Sequence, residues 1–353
     1  MIFIIISAIS LFFGLYTMYT KTKNQQIESG FSTNFITTGT ALIVTAFGTF
    51  SDKVFGLLSN EPVTNNLVQL GTGFILVIIG IWMKLYVKNK LSILNLLGVK
   101  ERRIEEHRKD VGLNQFEFKE REVDLSVYAK KMNRERYEEA TELIKLKMES
   151  FYSENREVKK GYTGTAPIPL TMFAGHCYKG APTTEFFEYH KFDRKYMKLG
   201  VAKKRWFSSE KEYPELKLKQ PLTTLNLENT EEVVLGVSVT MEITPMQVQQ
   251  FRSPFIELSI ENPVHNAIMY EEQLQEYAKN IFDMIVELGS RPKVKKIHLV
   301  LSCQSCLAFE LGKLLTTETY MKEVINYHYV NDPTPRYAWG VSFNRQGTKF
   351  IEC

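Results

Sequence analysis

The chain begins with three apolar runs and continues with short apolar strands alternating with amphipathic helices. Ile2 to Tyr19 carries no charged residue over 18 positions, a length of roughly 27 Å as a helix, close to the hydrocarbon thickness of a bilayer. Lys21 and Lys23 follow it instead of a small-residue cleavage site, so the run is expected to stay attached. Leu67 to Val87 is the clearest span. It ends in Trp82, Lys84, Tyr86, Lys88 and Lys90, the aromatic and cationic anchors of an interface. Gly73, Val77 and Gly80 fall on one helical side, where a second helix has room to approach.

Phe35 to Phe50, between these runs, is shorter and rich in Thr and Gly; it is read either as a third span or as a re-entrant or surface segment. Three spans place Lys21 and Lys23 on the side of Lys84, Lys88, Lys100, Arg102 and Arg103, which satisfies the positive-inside rule better than two spans do. Either count leaves everything after Lys88 in the cytoplasm. No Asp, Glu, Lys or Arg sits in the middle of a run, which argues against transport by a single copy.

Residues 1–90 are therefore expected to form a membrane region, with spans about 2–19, 67–87 and, on the three-span count, 35–50. Residues 91–125 turn charged and mixed in sign and read as a linker. From 126 to 353 the pattern is that of a folded domain. Tyr137, Ala140, Ile144, Met148 and Phe151 recur at helical spacing in a helix opened by Ser126. Phe186 to Met197 is strand-like, and Leu216 to Asn229 is a polar joint. Strands are expected at Val233 to Val239, Phe255 to Ile260, Ile297 to Leu301, Ile325 to Val330 and Ala338 to Phe343, with a helix from Tyr270 to Leu288. Such alternation specifies an α/β, Rossmann-like arrangement, and both halves hold a strand, a polar turn and a helix, as in a duplicated unit.

Two turns carry the chemistry. Lys296 to Leu315, KIHLVLSCQSCLAFELGKLL, is a strand, a small polar turn and a helix. Turns of this kind gather backbone NH groups at a helix start and hold phosphates at the carboxyl ends of strands. Ser302, Gln304 and Ser305 are its candidate ligand contacts. The second turn is Gly161-Tyr-Thr-Gly-Thr-Ala-Pro-Ile-Pro-Leu170, where Tyr162, Thr163, Gly164, Thr165 and Pro167 are the candidates. Lys191 and Arg194 are cations suited to phosphate. Tyr162, Trp206 and Tyr337 are the aromatics suited to stacking on a base.

The net charge of +4 is too mild for a general nucleic-acid surface. Four cysteines in 353 residues make no disulfide framework, and Cys303-x-x-Cys306 lacks the second ligand pair of a zinc site. No metal and no cofactor is expected.

In their order and spacing, the Gly161 to Leu170 turn, the Glu188 to Arg194 strand, the Ile297 to Ser302 strand, the Ser305 to Gly312 helix start and the closing Tyr327-His-Tyr-Val segment resemble a SAVED domain. With its apolar N-terminal portion the chain resembles the transmembrane SAVED effectors of bacterial CBASS antiphage operons. The resemblance implies an α/β fold of two fused CARF-like, Rossmann-like units behind N-terminal transmembrane helices, with the SAVED domain on the cytoplasmic side of the bacterial inner membrane. It implies a cyclic oligonucleotide ligand, often a cyclic trinucleotide, made by a partner CD-NTase-type nucleotidyltransferase. Further implied are ligand-induced homo-oligomers, damage to the lipid membrane and abortive infection, with no enzymatic activity. A passive membrane-tethered sensor and a ring nuclease that cleaves the messenger are the alternatives; the latter would use Ser302, Cys303 or Ser305 with His298 or His328.

Overall fold

The computed structural model describes residues 9, 12–20, 27–55, 64–99, 102–113, 118–128, 132–153, 158–178, 185–202, 212–225, 227–315, 322–331 and 335–353. These fall into two compact units, one of Met1–Leu91 with Ser153–Lys159 and one of Ser92–Tyr152 with Lys160–Cys353.

The first unit is helical. Residues 12–20 are helical, and the rest of the Ile2 to Tyr19 run, apart from Ile9, lies outside the described residues. Helices α1 (Ile27–Phe55) and α2 (Thr64–Asn89) follow. The Phe35 to Phe50 run is thus the middle of a 29-residue helix. Thr37, Thr40 and Thr45 turn their hydroxyls onto the helix backbone, as Thr40 does to the Ile36 carbonyl at 2.8 Å and Thr45 to the Ala41 carbonyl at 2.9 Å, which hides polar groups in an otherwise apolar helix.

The Gly73 and Gly80 side of α2 packs on α1. A Cβ at Gly80 would lie 2.8 Å from the Ser32 carbonyl oxygen, and one at Gly73 would lie 2.8 Å from that of Gly39. The small-residue face, where a second helix has room to approach, is therefore filled from within the chain and is not open to the helices of other copies. Outward, α2 exposes Phe74, Ile75, Ile78, Ile81, Trp82 and Leu85. Among the described residues one helical stretch, Val68–Tyr86, is long and apolar enough to cross a membrane.

The second unit contains two sheets. Its strands are β1 (Leu91–Leu97), β2 (Phe118–Asp124), β3 (Lys159–Gly164), β4 (Glu185–His190), β5 (Lys195–Lys198), β6 (Lys217–Leu218), β7 (Glu232–Ser238), β8 (Phe255–Ser259), β9 (Lys296–Ser302), β10 (Glu323–Tyr329), β11 (Tyr337–Asn344) and β12 (Gly347–Glu352). The first sheet runs β2-β1-β3-β4-β5 and the second β12-β11-β10-β9-β7-β8-β6. Strands β8, β7, β9 and β10 are parallel in that order across the second sheet, and β3 and β4 are parallel in the first.

Leu91–Leu97, expected to open a linker, is instead a strand buried at every position, and β2 joins it in the same sheet. Its sequence, LSILNLL, is apolar at five of seven positions without strict alternation, as suits a strand covered on both faces. The Phe186 to Met197 stretch is a hairpin whose turn ends at Arg194, in the left-handed region at φ 51°.

The helices are α3 (Arg134–Ser153), α4 (Ile168–Cys177), α5 (Glu271–Ser290) and α6 (Ser305–Leu314). Helix α3 begins eight residues after Ser126, where the Asn133 side chain accepts the Arg136 NH at 2.9 Å as an N-cap. Helices α4 and α6 each follow one of the two polar turns and pack against each other. A Cβ at Gly312 would sit 2.0 Å from the Met172 carbonyl oxygen, and one at Gly175 would sit 2.0 Å from that of Phe309. This backbone-to-backbone crossing joins the two halves through one apolar core that takes in Leu94, Phe173, Tyr162, Phe309, Leu299 and Val341.

Candidate functional site

In the second sheet the chain leaves β7 toward β8 on one side, then crosses back through α5 to β9 on the other. The crevice between the ends of β7 and β9 is thus the topological switch point, the usual place for a ligand in an open α/β sheet. Ser302 closes this crevice. Its carbonyl accepts the Val239 and Thr240 NH groups, each at 2.9 Å, and its hydroxyl accepts the Met241 NH at 3.0 Å and lies 3.1 Å from the Thr240 hydroxyl.

Beyond it opens a cavity of about 260 Å³ lined by Thr240, Met241, Gln247, Ser302, Cys303, Tyr329 and Tyr337 among others. A second cavity, of about 310 Å³, is lined by Gly98, Thr165, Pro167 and Ile168 from the ends of β1 and β3 and by Tyr327, His328 and Tyr329 from the end of β10. The two cavities share Leu301 and Tyr329. The carboxyl edges of both sheets thus border one groove. In it, burial holds the His328 imidazole down at about 4, so that ring is neutral at pH 7. It packs on Trp339 with centroids 5.0 Å apart.

Four of the expected ligand contacts line the groove: Thr165 and Pro167 in the second cavity, and Ser302 and Tyr337 in the first. The Thr165–Pro167 turn is built by the Leu96 carbonyl, which accepts the Thr165 and Ala166 NH groups at 2.8 and 3.1 Å, and by the Thr165 hydroxyl, which accepts the Gly98 NH at 3.0 Å. Those two NH groups are therefore spent inside the protein. Tyr337 is held through its backbone by the Gln250 side chain, at 3.0 and 3.1 Å.

The remaining expected contacts lie elsewhere. Tyr162 is 1 % exposed, with its ring stacked on Phe309 at 4.1 Å; it is a core side chain with no open face for a base. Thr163 is buried beside it. Gly164 backs onto Leu96 and the Tyr162 hydroxyl, which leave no room for a Cβ. Gln304 grips Ile268, accepting its NH at 2.6 Å and donating to its carbonyl at 3.1 Å. Lys191 and Arg194 are exposed in the β4–β5 turn, whose Phe192 ring lies 5.6 Å from that of His265 in the loop after β8. Trp206 lies outside the described residues.

The α6 start is the largest departure from expectation. Its NH groups meet a carboxyl group belonging to the protein: the Glu188 side chain of β4 accepts the Cys306 NH at 2.7 Å and lies 3.4 Å from the Ser305 hydroxyl. The Tyr162 hydroxyl donates to that of Ser305 at 3.4 Å. Glu188 is 7 % exposed, and burial raises its pKa from 4.5 to about 7 although the Cys306 and Ser305 contacts pull it down. The same burial and the Glu188 charge push the Cys303 and Cys306 thiols up, so neither is an activated nucleophile. His298 is engaged away from the serines, 2.8 Å from the Tyr327 hydroxyl and 3.0 Å from Glu232.

Sequence reasoning missed Thr240 and Met241 as parts of this region, named His328 only as a partner for a ring nuclease, and quoted Glu188 and Tyr329 within their segments without giving either a role. A signal for Glu188 was present. It alternates with Phe186 in the strand EFFEYH, which puts a lone carboxylate on an apolar face.

The family model for SAVED, the "SMODS-associated and fused to various effectors sensor domain", matches residues 144–343. No curated protein matches the chain. Among solved structures, the Acinetobacter baumannii Cap4 SAVED/CARF-domain containing receptor with the cyclic trinucleotide 2'3'3'-cAAA is similar at 10% identity and a TM-score of 0.46, over 88% of this chain and 65% of that one. The Moraxella osloensis Cap4 SAVED/CARF-domain containing receptor is similar at 11% identity and a TM-score of 0.43, over 86% and 63%. The chain thus spans less than two thirds of the length of these structures. The SAVED match covers more than half of the residues and both polar turns, and the chain belongs to the SAVED family of sensor domains.

Proposed function

We propose that the chain is a membrane-anchored receptor for a cyclic oligonucleotide, a cyclic trinucleotide first among these, which binds in the groove at the carboxyl edges of the two sheets. The observation that carries this reading is the groove itself. Its adjoining cavities are walled by both Rossmann-like halves, as a ring that presents phosphates and bases in several directions requires. With the α6 start filled by Glu188, the ligand is held by the groove walls: the Thr165–Ile168 turn, the half-buried ring of Tyr329 for stacking, and the Thr240 and Ser302 hydroxyls for hydrogen bonds; Tyr337, 2 % exposed, backs the groove from the core.

The apolar outer face of α2 supports an anchor in the bacterial inner membrane, with the sensor domain cytoplasmic and residues 2–19 and 35–50 as further spans. The function that follows is antiphage defence of the CBASS type: a CD-NTase-type nucleotidyltransferase supplies the messenger, bound copies oligomerise through the sensor domain, and the gathered helices breach the membrane. No catalytic step and no cofactor is part of this reading. The test is a thermal-shift screen of the full chain in neutral detergent against cyclic di- and trinucleotides, followed by dye release from liposomes carrying the protein. A ring that stabilises the protein and releases dye supports the whole reading. A ring that binds without oligomers or dye release leaves a passive tethered sensor, and linear products after incubation would indicate a ring nuclease.

A further inference from the structure

A polar cavity of about 240 Å³ lies between α3 and β12, lined by Arg134, Tyr137, Glu138, Thr141, Lys145, Thr348, Lys349 and Phe350. Its place in the sheet separates it from the ligand groove. Thr348 pairs with Phe343, and Phe343 with Val324 at the start of β10, whereas the groove lies at Tyr329, the other end of that strand. The two are a strand length apart, roughly 20 Å.

Three cations and one carboxylate line this cavity, a net charge of +2. Arg134 opens α3, so the positive end of that helix adds to the field. Beneath the cations is the Tyr137 hydroxyl. Tyr137 is 5 % exposed, its ring is fixed against Phe350 and Phe173, and its buried oxygen has no hydrogen-bond partner. The Thr348 hydroxyl is near enough to draw the Tyr137 pKa down against the effect of burial, but it completes no hydrogen bond of normal geometry with it, and no other group among the described residues does. An orphan donor in a polar cavity is destabilising unless something accepts from it. Thr141 turns its hydroxyl onto the Tyr137 and Glu138 carbonyls of its own helix, at 2.9 and 3.0 Å, and makes no hydrogen bond with the Tyr137 hydroxyl.

We propose that this cavity is a second anion site, which takes a phosphomonoester group through Arg134, Lys145 and Lys349, with the Tyr137 hydroxyl donating to one of its oxygens. The charge fits, since a phosphomonoester carries about −1.5 to −2 at pH 7. The volume fits a phosphate and the first atoms of its ester; sites for whole drug-sized ligands run to roughly 300–1,000 Å³. The group arrives either on a free metabolite or on a lipid headgroup, and both present the same chemistry.

The test titrates inorganic phosphate and a nucleoside 5'-monophosphate into the full chain in neutral detergent at constant ionic strength. In parallel, flotation is scored with phosphatidylcholine vesicles with and without phosphatidic acid. The variants are Arg134→Gln and Lys349→Gln, both exposed, and Tyr137→Phe, which keeps the packed ring. Saturable phosphate binding that weakens roughly tenfold in either charge variant, and several-fold in Tyr137→Phe, supports the site. Cyclic-trinucleotide binding in the groove is expected to be unchanged, so this outcome is independent of the proposed receptor function. A gain with the monophosphate over phosphate assigns a free ligand, and flotation that needs both phosphatidic acid and Lys349 assigns a lipid. Absence of saturable binding to phosphate, monophosphate and phosphatidic acid, or binding that survives all three substitutions, overturns the proposal.

Discussion

Replacing Glu188 by Gln tests the electrostatics of the joint between the two halves. In the folded protein Glu188 keeps its proton up to about pH 7, whereas its ordinary value is 4.5. The groups that face it are Tyr162, Tyr196, Ser305, Cys303 and Cys306, none of them a cation. Between pH 4.5 and about 7 the folded state therefore binds more protons than the unfolded chain, and this group's contribution to stability falls as the pH rises through that window. The rise in pKa corresponds to ~3 kcal/mol lost by about pH 7.5, an order-of-magnitude figure.

Gln has the same shape, still accepts the Cys306 NH and cannot ionise. Glu188→Gln should match the wild type at pH 5 and exceed it by up to ~3 kcal/mol at pH 8. Because the chain forms two compact units, the assay must be local. Urea unfolding of the full chain, read by hydrogen exchange on the β4 and α6 peptides at pH 5, 6, 7 and 8, meets that need. A wild type that gains stability over the variant as the pH rises, or a variant that is weaker at pH 8, would refute the reasoning. Either result would mean that the ionised carboxylate is a net stabiliser at the helix start.

Further substitutions probe packing. Gly312→Ala drives a methyl to 2.0 Å from the Met172 carbonyl oxygen; it should separate α4 from α6 and cost at least ~1–3 kcal/mol, seen as a lowered midpoint for the β9–α6 peptides in the same exchange assay. Tyr162→Ala removes a ring stacked on Phe309 and should cost ~3–5 kcal/mol. Tyr162→Phe, which keeps the ring and gives up only its hydroxyl bond to Ser305, should leave nucleotide affinity in calorimetry within about twofold, whereas a base-stacking Tyr162 would show loss in the alanine variant without loss of stability.

The sequence announced the second sheet well. The Val233, Phe255 and Ile297 strands and the Tyr270 helix stand close to their expected bounds, because each is a long apolar run or a strong 3.6-residue pattern closed by polar turns. Leu91–Leu97 was hidden by its charged neighbours and by the lack of alternation in a strand buried on both faces. The site was less legible. A small polar turn before a helix tells that NH groups are gathered, and not which acceptor they meet. Here the acceptor comes from Glu188, 118 residues away in the chain, a pairing that no local spacing encodes. Tyr162 shows the same limit, since its neighbour Phe309 belongs to the other half. The Gly73 and Gly80 face was legible as a helix-packing face, but its partner is α1 of the same chain and not another copy, which became visible only in three dimensions.

The central claim, a ring-nucleotide site in the groove at the two carboxyl edges, is tested most directly by calorimetry of the full chain with a cyclic trinucleotide, wild type against Tyr329→Ala. Tyr329 lines both cavities and is half-buried, so its loss removes one stacking surface, worth ~1–3 kcal/mol per base. The account predicts saturable binding by the wild type and a weakening of roughly tenfold in the variant. Binding of equal strength in both proteins would contradict it, as would the failure of every cyclic di- and trinucleotide to bind the wild type.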